Sequence, residues 1–91
     1  MKIENSTRKG KRFVATYADG TKVHFGSKGA STFIDGKRTE IERKNYIKRH
    51  DVRENFENPK SAGSLSRYLL WGDNKSLEKN HQEFMKKFKI N

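Results

Sequence analysis

Residues 12–26 read RFVATYADGTKVHFG, and this stretch decides the fold of the 91-residue chain. Two short runs rich in β-branched and aromatic residues flank Asp19 and Gly20. This dipeptide favours a type I′ turn because both central residues of that turn have positive φ. The stretch therefore predicts a β-hairpin with a two-residue loop.

The two-residue loop fixes the register of the predicted hairpin. Thr16 would pair with Val23 and Val14 with Phe25, and these four residues would form the core face. The opposite face would carry Phe13, Ala15, Tyr17, Lys22 and His24.

The segments that flank the hairpin are predicted to differ. Residues 1–11 have no periodicity and place cations beside Gly10, which indicates a flexible basic arm. Residues 26–31 are rich in Gly and Ser and form a loop. Residues 32–34 could then add a third strand.

Three helical segments are predicted in the second half. The first spans residues 38–50. The second has Asn58 as its N-cap and Pro59 at its first position, and it runs to about Trp71. Gly72 would end it in a left-handed cap.

A last helix is capped by Asp73-Asn74 and repeats apolar or aromatic residues at Leu77, His81, Phe84 and Phe88. The predicted fold is therefore α+β. A small N-terminal antiparallel β-meander, the hairpin with or without a third strand, is followed by two or three α-helices. The single domain would cover residues 12–91, and the sequence leaves its oligomeric state open.

The composition favours a basic binding protein. Hydrophobic residues make up 31% of the chain and charged residues 35%, and the net charge is +10. The positive charge concentrates in residues 1–12, 37–54 and 75–91, so the cations could share one side of a small domain and attract polyanions. The chain has no Cys, no apolar run long enough to span a membrane and no apolar N-terminal leader, so neither disulfides, membrane insertion nor secretion is expected.

Catalysis and metal binding have little support in the sequence. The His residues, at 24, 50 and 81, lack the spacing of a metal motif. Ser64 and Ser66 have no neighbouring base. The Gly26–Gly29 loop could form an anion nest, and a catalytic site would need His50 to share a cleft with Asp51 and Glu54. We therefore expect no enzyme activity, no metal and no cofactor.

Basic residues beside aromatic ones point instead to phosphate contacts. Tyr46, Phe56, Tyr68 and Trp71 could stack on unpaired bases, although their helical spacing also suits a core. The residues expected to bind nucleic acid are Arg8, Lys9, Lys11, Arg12, Lys28, Lys44, Lys48, Arg67, Lys86 and Lys87. An interface is expected at Ala62, Gly63, Arg67 and Trp71.

Three motifs, HFG at residues 24–26, YxxRHxxREN at 46–55 and PxxAGxLSRxxLW at 59–71, carry a family resemblance. Over residues 12–88 the chain resembles small basic proteins of unknown function that are encoded by large nucleocytoplasmic DNA viruses of algae and amoebae. The resemblance implies a viral protein that acts on the genome or within the virion. It would be located in the virion and, during infection, in the host cytoplasm or nucleus.

Two functions are consistent with these observations. The first is non-enzymatic binding of nucleic acid, in particular viral genomic DNA, through Lys and Arg contacts to phosphates with little sequence readout. The second is a structural role as a minor capsid or cement protein that binds acidic surfaces of coat subunits or other virion proteins.

Overall fold

The computed structural model describes residues 1–52 and 55–90. A three-stranded antiparallel sheet precedes the helices, which confirms the predicted α+β class. The strands are β1 (Lys2–Asn5), β2 (Lys11–Thr16) and β3 (Lys22–Ser27), and the helices are α1 (Glu40–Asp51), α2 (Ala62–Leu65) and α3 (Leu77–Lys87). A 3-10 turn (Phe33–Asp35) precedes α1, and a π-helical turn (Ser66–Leu70) continues α2.

The hairpin forms, but its predicted register is wrong by one residue. Val23 pairs with Ala15, and Phe25 pairs with Phe13. A type I′ turn requires two residues at positive φ, whereas here only Gly20 adopts it, at +89°. The loop consequently holds three residues, and the partners along β2 shift by one.

This shift exchanges the two faces of β2. Ala15 and Tyr17, predicted to face away from the core, are buried in it. Val14 and Thr16 occupy the opposite face and are only partly buried. Phe25 is fully buried, as predicted for the core face.

The third strand is β1 rather than residues 32–34. The prediction of a flexible arm is wrong for Lys2–Asn5, because Ile3 pairs with Ala15 and packs against the core. Residues 32–34 instead enter the 3-10 turn, where Asp35 Oδ2 accepts a hydrogen bond from the Thr32 amide at 2.8 Å. The sheet order is β1-β2-β3.

Side-chain caps set the helix starts. α1 begins at Glu40 because Thr39 and Glu42 form a capping box. The predicted start at Asn58-Pro59 is wrong, since the Asn58 side chain accepts from the Lys60 amide in a turn and Ser61 caps α2.

The predicted cap of the last helix and the predicted left-handed end at Gly72 are also wrong. Ser76 caps α3 through the Lys79 amide. Gly72 does not have positive φ; it is buried beside the Asn80 side chain, where a Cβ would lie 2.7 Å from Asn80 Cγ. This glycine is needed for close packing.

The core lies between the inner face of the sheet and the helical half of the chain. The predicted apolar face of α3 is present, with Phe84 buried and Leu77 and Phe88 packed against the core. Asn80 is buried too, and its Nδ2 donates to the carbonyl oxygens of Leu69 and Asn74. Within residues 1–52 and 55–90, no helix combines the length and the apolar composition needed to cross a membrane.

Candidate functional site

Three concave surfaces meet at Ser31, in the loop that leaves β3. The first, the Trp71 groove, is a cavity of about 350 Å³ between the end of β3, α1 and α2. The Lys28 pocket (about 440 Å³) and the Arg49 pocket (about 360 Å³) adjoin it. We call the combined surface the Ser31 junction, because Ser31 lines all three cavities.

An aromatic wall bounds the Trp71 groove. The rings of Tyr46 and Trp71 are stacked, with centroids 4.3 Å apart and planes 5° from parallel. The His50 ring lies 4.2 Å from Tyr46. Tyr46 is therefore the middle ring of a stack of three. Trp71 is 8% exposed, Tyr46 and His50 are partly buried, and all three residues line the groove.

The Ser31 junction is strongly basic. Among the described residues, its three cavities are lined by six cations and two carboxylates. The carboxylates are Asp35 and Glu42. The cations are Lys11, Arg12, Lys28, Lys37, Arg38 and Arg49.

Arginines already neutralise both carboxylates of the junction. Arg12 donates to both oxygens of Asp35, at 2.7 and 3.0 Å, and these bonds are the main reason that the pKa of Asp35 lies well below its usual range. Arg38 Nη1 donates to Glu42 Oε2 at 2.7 Å. The pKa of Glu42 is lowered first by the Thr39 amide and then by Arg38.

The four remaining cations of the junction are available for a ligand. Lys11, Lys28 and Lys37 are exposed, as is Arg49 on α1, and none forms a salt bridge with a residue of ranges 1–52 or 55–90. These positive charges come from β2, the loop after β3 and α1. The sheet holds β2 and β3 together, and the Arg12–Asp35 pair joins β2 to the 3-10 turn that follows the loop after β3.

The turn between β1 and β2 adds charge at the same end of the sheet. The Lys28 amide donates to the Gly10 carbonyl at 3.1 Å, which joins this turn to the loop after β3. The pKa of His24 is lowered, first by partial burial and then by the positive charges of Arg8, Lys22 and Lys11. Arg8 and Lys9 in this turn are exposed.

The model of a family of unknown function, DUF5754, matches residues 1–50, just over half of the 91-residue chain. The chain belongs to this family. Neither the curated proteins nor the solved structures contain a significant match. The DUF5754 segment contains the sheet and nearly all of α1, and all six cations of the Ser31 junction lie within it.

Half of the residues predicted to bind nucleic acid lie at or near the junction, within the DUF5754 segment. Lys11, Arg12 and Lys28 line it, and Arg8 and Lys9 lie in the adjoining turn. Arg12, however, is held by Asp35.

The other predicted nucleic-acid residues lie elsewhere. Lys44 and Lys48 are each two positions from Tyr46, about 200° around the helix, so they occupy the face of α1 that points away from the groove. Arg67 and Lys87 line a separate pocket beside Tyr68 and Phe84, and Lys86 is exposed near the end of α3.

The predicted interface is divided as well. Ala62, Gly63 and Trp71 line the Trp71 groove, but Arg67 does not. Arg67 Nη1 donates a hydrogen bond to the backbone carbonyl oxygen of Trp71 at 3.3 Å. The Arg67 Cζ lies 4.8 Å from the centre of the Tyr68 ring. Burial is the main cause of the lowered pKa of Arg67.

The fold uses one backbone amide of the anion nest predicted at Gly26–Gly29, because the Lys28 amide donates to the Gly10 carbonyl at 3.1 Å. Within the part of the chain that the structure describes, no three His, Asp or Glu side chains are grouped for a metal ion. Glu54, named for a catalytic cleft with His50 and Asp51, lies outside the described residues, as does Arg53 of the second motif.

Three cations of the junction, Lys37, Arg38 and Arg49, were not predicted as site residues. The sequence shows their charge but not their position, which depends on how the loop after β3 folds against α1. A capping box at Thr39 and Glu42 was a readable signal for the start of α1, and it would have placed Lys37 and Arg38 in the loop before the helix.

Proposed function

We propose that this DUF5754 protein binds nucleic acid without catalysis, through phosphate contacts at the Ser31 junction. The observation that carries the proposal is the charge of the junction: four available cations remain after arginines have neutralised both described carboxylates. Closely spaced cations of this kind match the regular negative charge of a phosphate backbone.

The concave shape supports the same proposal. A polyanion that follows the junction can contact Lys11, Lys28 and Arg49 from three adjoining cavities. Lys and Arg contacts to phosphates fix position but carry no sequence information, so readout of sequence would be slight. The resemblance described above would place this activity on a viral genome.

Fluorescence anisotropy with a labelled random-sequence oligonucleotide tests the proposal, across about 50 to 200 mM salt. The Lys28→Glu/Lys37→Glu variant should weaken binding about tenfold or more and lower the salt slope by about two. Lys44→Glu/Lys48→Glu is the matched control. It makes the same charge change on exposed residues on the far face of α1, and its affinity should change far less.

Three outcomes would contradict the proposal. One is absence of binding at 50 mM salt. A second is equal weakening by both variants, which would mean that only net charge matters and would restore Lys44 and Lys48 as contacts. The third is binding to polyglutamate as tight as to the oligonucleotide, which would favour the rival role on acidic protein surfaces of the virion.

A further inference from the structure

The geometry points to a specific ligand for the Trp71 groove: one unpaired base of a single-stranded nucleic acid, whose flanking phosphates lie on Lys11 and Lys28. This inference rests on the proposed function and deepens it. It assigns the groove a role that phosphate binding alone does not require, since a polyanion could bind the cations without entering the cavity.

The groove has the size and lining that a base needs. Its volume of about 350 Å³ falls in the range of small-ligand pockets, about 300–1,000 Å³. Gly26, Ala62 and Gly63 contribute little side-chain bulk, so a planar group can enter between the end of β3 and α2. Ser27 and Ser66 add hydroxyl groups that can hydrogen-bond the edge of a base.

The aromatic wall supplies the stacking surface. Bases that are not paired stack on Tyr, His and Trp rings, and this contact depends little on the identity of the base. Tyr46 lies between Trp71, 4.3 Å away, and His50, 4.2 Å away, so both faces of its ring are covered. The face on which a base can stack is therefore the outer face of the partly exposed His50 ring. The wall is thus held in place before any ligand enters.

The position of the cations relative to the wall favours a strand over a free base. Lys11 lines the groove itself, and Ala30 and Ser31 separate the groove from the Lys28 pocket. A base stacked on the wall would place its sugar and phosphate at Ala30 and Ser31, with cations on both sides. A duplex would first have to flip a base out, which costs a few kcal/mol and disfavours it.

The experiment compares three probes of equal length by anisotropy at one salt concentration: an oligothymidylate, an oligomer of the same backbone without bases, and a duplex. Stacking of one base should make the oligothymidylate bind about 5- to 150-fold more tightly than the abasic oligomer. The emission of Trp71, the only Trp in the chain, should change with the oligothymidylate and not with the abasic oligomer.

Ala62→Phe tests the location. Ala62 is exposed on α2 and lines the groove, so a ring there should fill the cavity and bring the ratio of the two affinities close to one. Gln82→Phe adds an exposed ring to α3, away from the groove, and should leave the ratio unchanged. His50→Ala, which shortens the wall, gives a second variant if Ala62→Phe fails to fold as judged by circular dichroism.

The outcomes separate the two proposals. Equal affinity for the oligothymidylate and the abasic oligomer overturns the base site while phosphate binding stands. If the ratio of the two affinities is unchanged in both Ala62→Phe and His50→Ala, the base site is also overturned, because the stacking must then occur elsewhere. Absence of binding to all three probes overturns both the base site and the proposed function.

Discussion

Arg43 Nε donates a hydrogen bond to the carbonyl oxygen of Gly72 at 2.8 Å, and this bond joins α1 to the end of the π-helical turn. The same Nε lies 3.1 Å from the Trp71 carbonyl oxygen. Arg43 Nη2 donates to Asp73 at 2.5 Å, and Arg43 as a residue is 8% exposed. The guanidinium therefore fixes the backbone that follows the Trp71 side chain, and with it the aromatic wall.

Arg43→Met should lower the free energy of unfolding by about 3 kcal/mol, because buried carbonyl groups lose their donor. Arg43→Lys should recover only part of this, since an ammonium group cannot reproduce the planar fork. Urea unfolding followed by Trp71 fluorescence measures both. Arg38→Met is the control. It removes an exposed i,i+4 ion pair and should lower the free energy of unfolding by less than about 1 kcal/mol. Equal losses of stability in the two Met variants would refute a special role of Arg43.

Gly72→Ala should destabilise the protein by about 2–3 kcal/mol, because the new Cβ would collide with the Tyr68 carbonyl oxygen and with Asn80. Gly29→Ala is the comparison. At Gly29 the space is open and only the positive φ of +87° opposes a side chain, so the cost should be about 1 kcal/mol. Thermal unfolding of the two variants ranks them, and a Gly72→Ala protein as stable as Gly29→Ala would show that the backbone there relaxes freely.

The raised pKa of Tyr17 predicts that the protein loses stability in alkali. The Tyr17 hydroxyl donates to the Pro59 carbonyl, and burial raises its pKa to about 12. The unfolded chain deprotonates near pH 10, so the contribution of Tyr17 is complete below pH 10 and declines as the pH rises towards 12. The stability difference between wild type and Tyr17→Phe should therefore shrink over this interval in pH-dependent urea titrations.

The Lys60 Nζ lies 5.6 Å from the Tyr17 ring centre. Lys60 is present in both proteins, so the difference isolates the phenol. A difference that stays constant from pH 9 to 12 would mean that Tyr17 ionises as readily in the folded protein as in the unfolded chain.

The lowered pKa of Asp35 predicts that the protein also loses stability in acid. Hydrogen bonds from Arg12 hold the pKa of Asp35 below the usual value, so its contribution is complete above about pH 4 and falls as the pH drops towards the folded pKa. Wild type should be more stable than Asp35→Asn at pH 7, and the two curves should converge below pH 4. The pKa values of Asp19 and Glu42 are lowered too. Both residues are present in wild type and in Asp35→Asn, so their effects cancel in the difference between the two curves. Curves that stay parallel down to pH 2 would contradict the assignment.

The class of the fold was predictable because it depends on local patterns. The hairpin and the apolar face of α3 follow from turn chemistry and from helical spacing. The register of the hairpin did not follow, since the backbone angle of one residue, Asp19, decides between a two-residue and a three-residue loop. The strand β1 was missed because only Ile3 in its four residues is apolar, and its pairing partner lies 12 residues along the chain.

The candidate site was predictable only in its chemistry. The basic and aromatic residues are visible in the sequence, but their grouping depends on which side of α1 faces the sheet. Tyr46 faces the groove whereas Lys44 and Lys48 face away, because buried Arg43 sets the rotation of the helix. A pattern of charges along a helix with few apolar residues does not contain that information.

The attachment of α1 has a consequence for hydrogen exchange. This helix buries Arg43 and partly buries Tyr46, Ile47 and His50, while Ile41 is 72% exposed. Its amides should therefore exchange through a local opening that costs less free energy than the global unfolding that exposes β2 and β3. Because α1 supplies one side of the groove, an occupied groove should slow exchange in the helix selectively and leave the protection of the sheet unchanged.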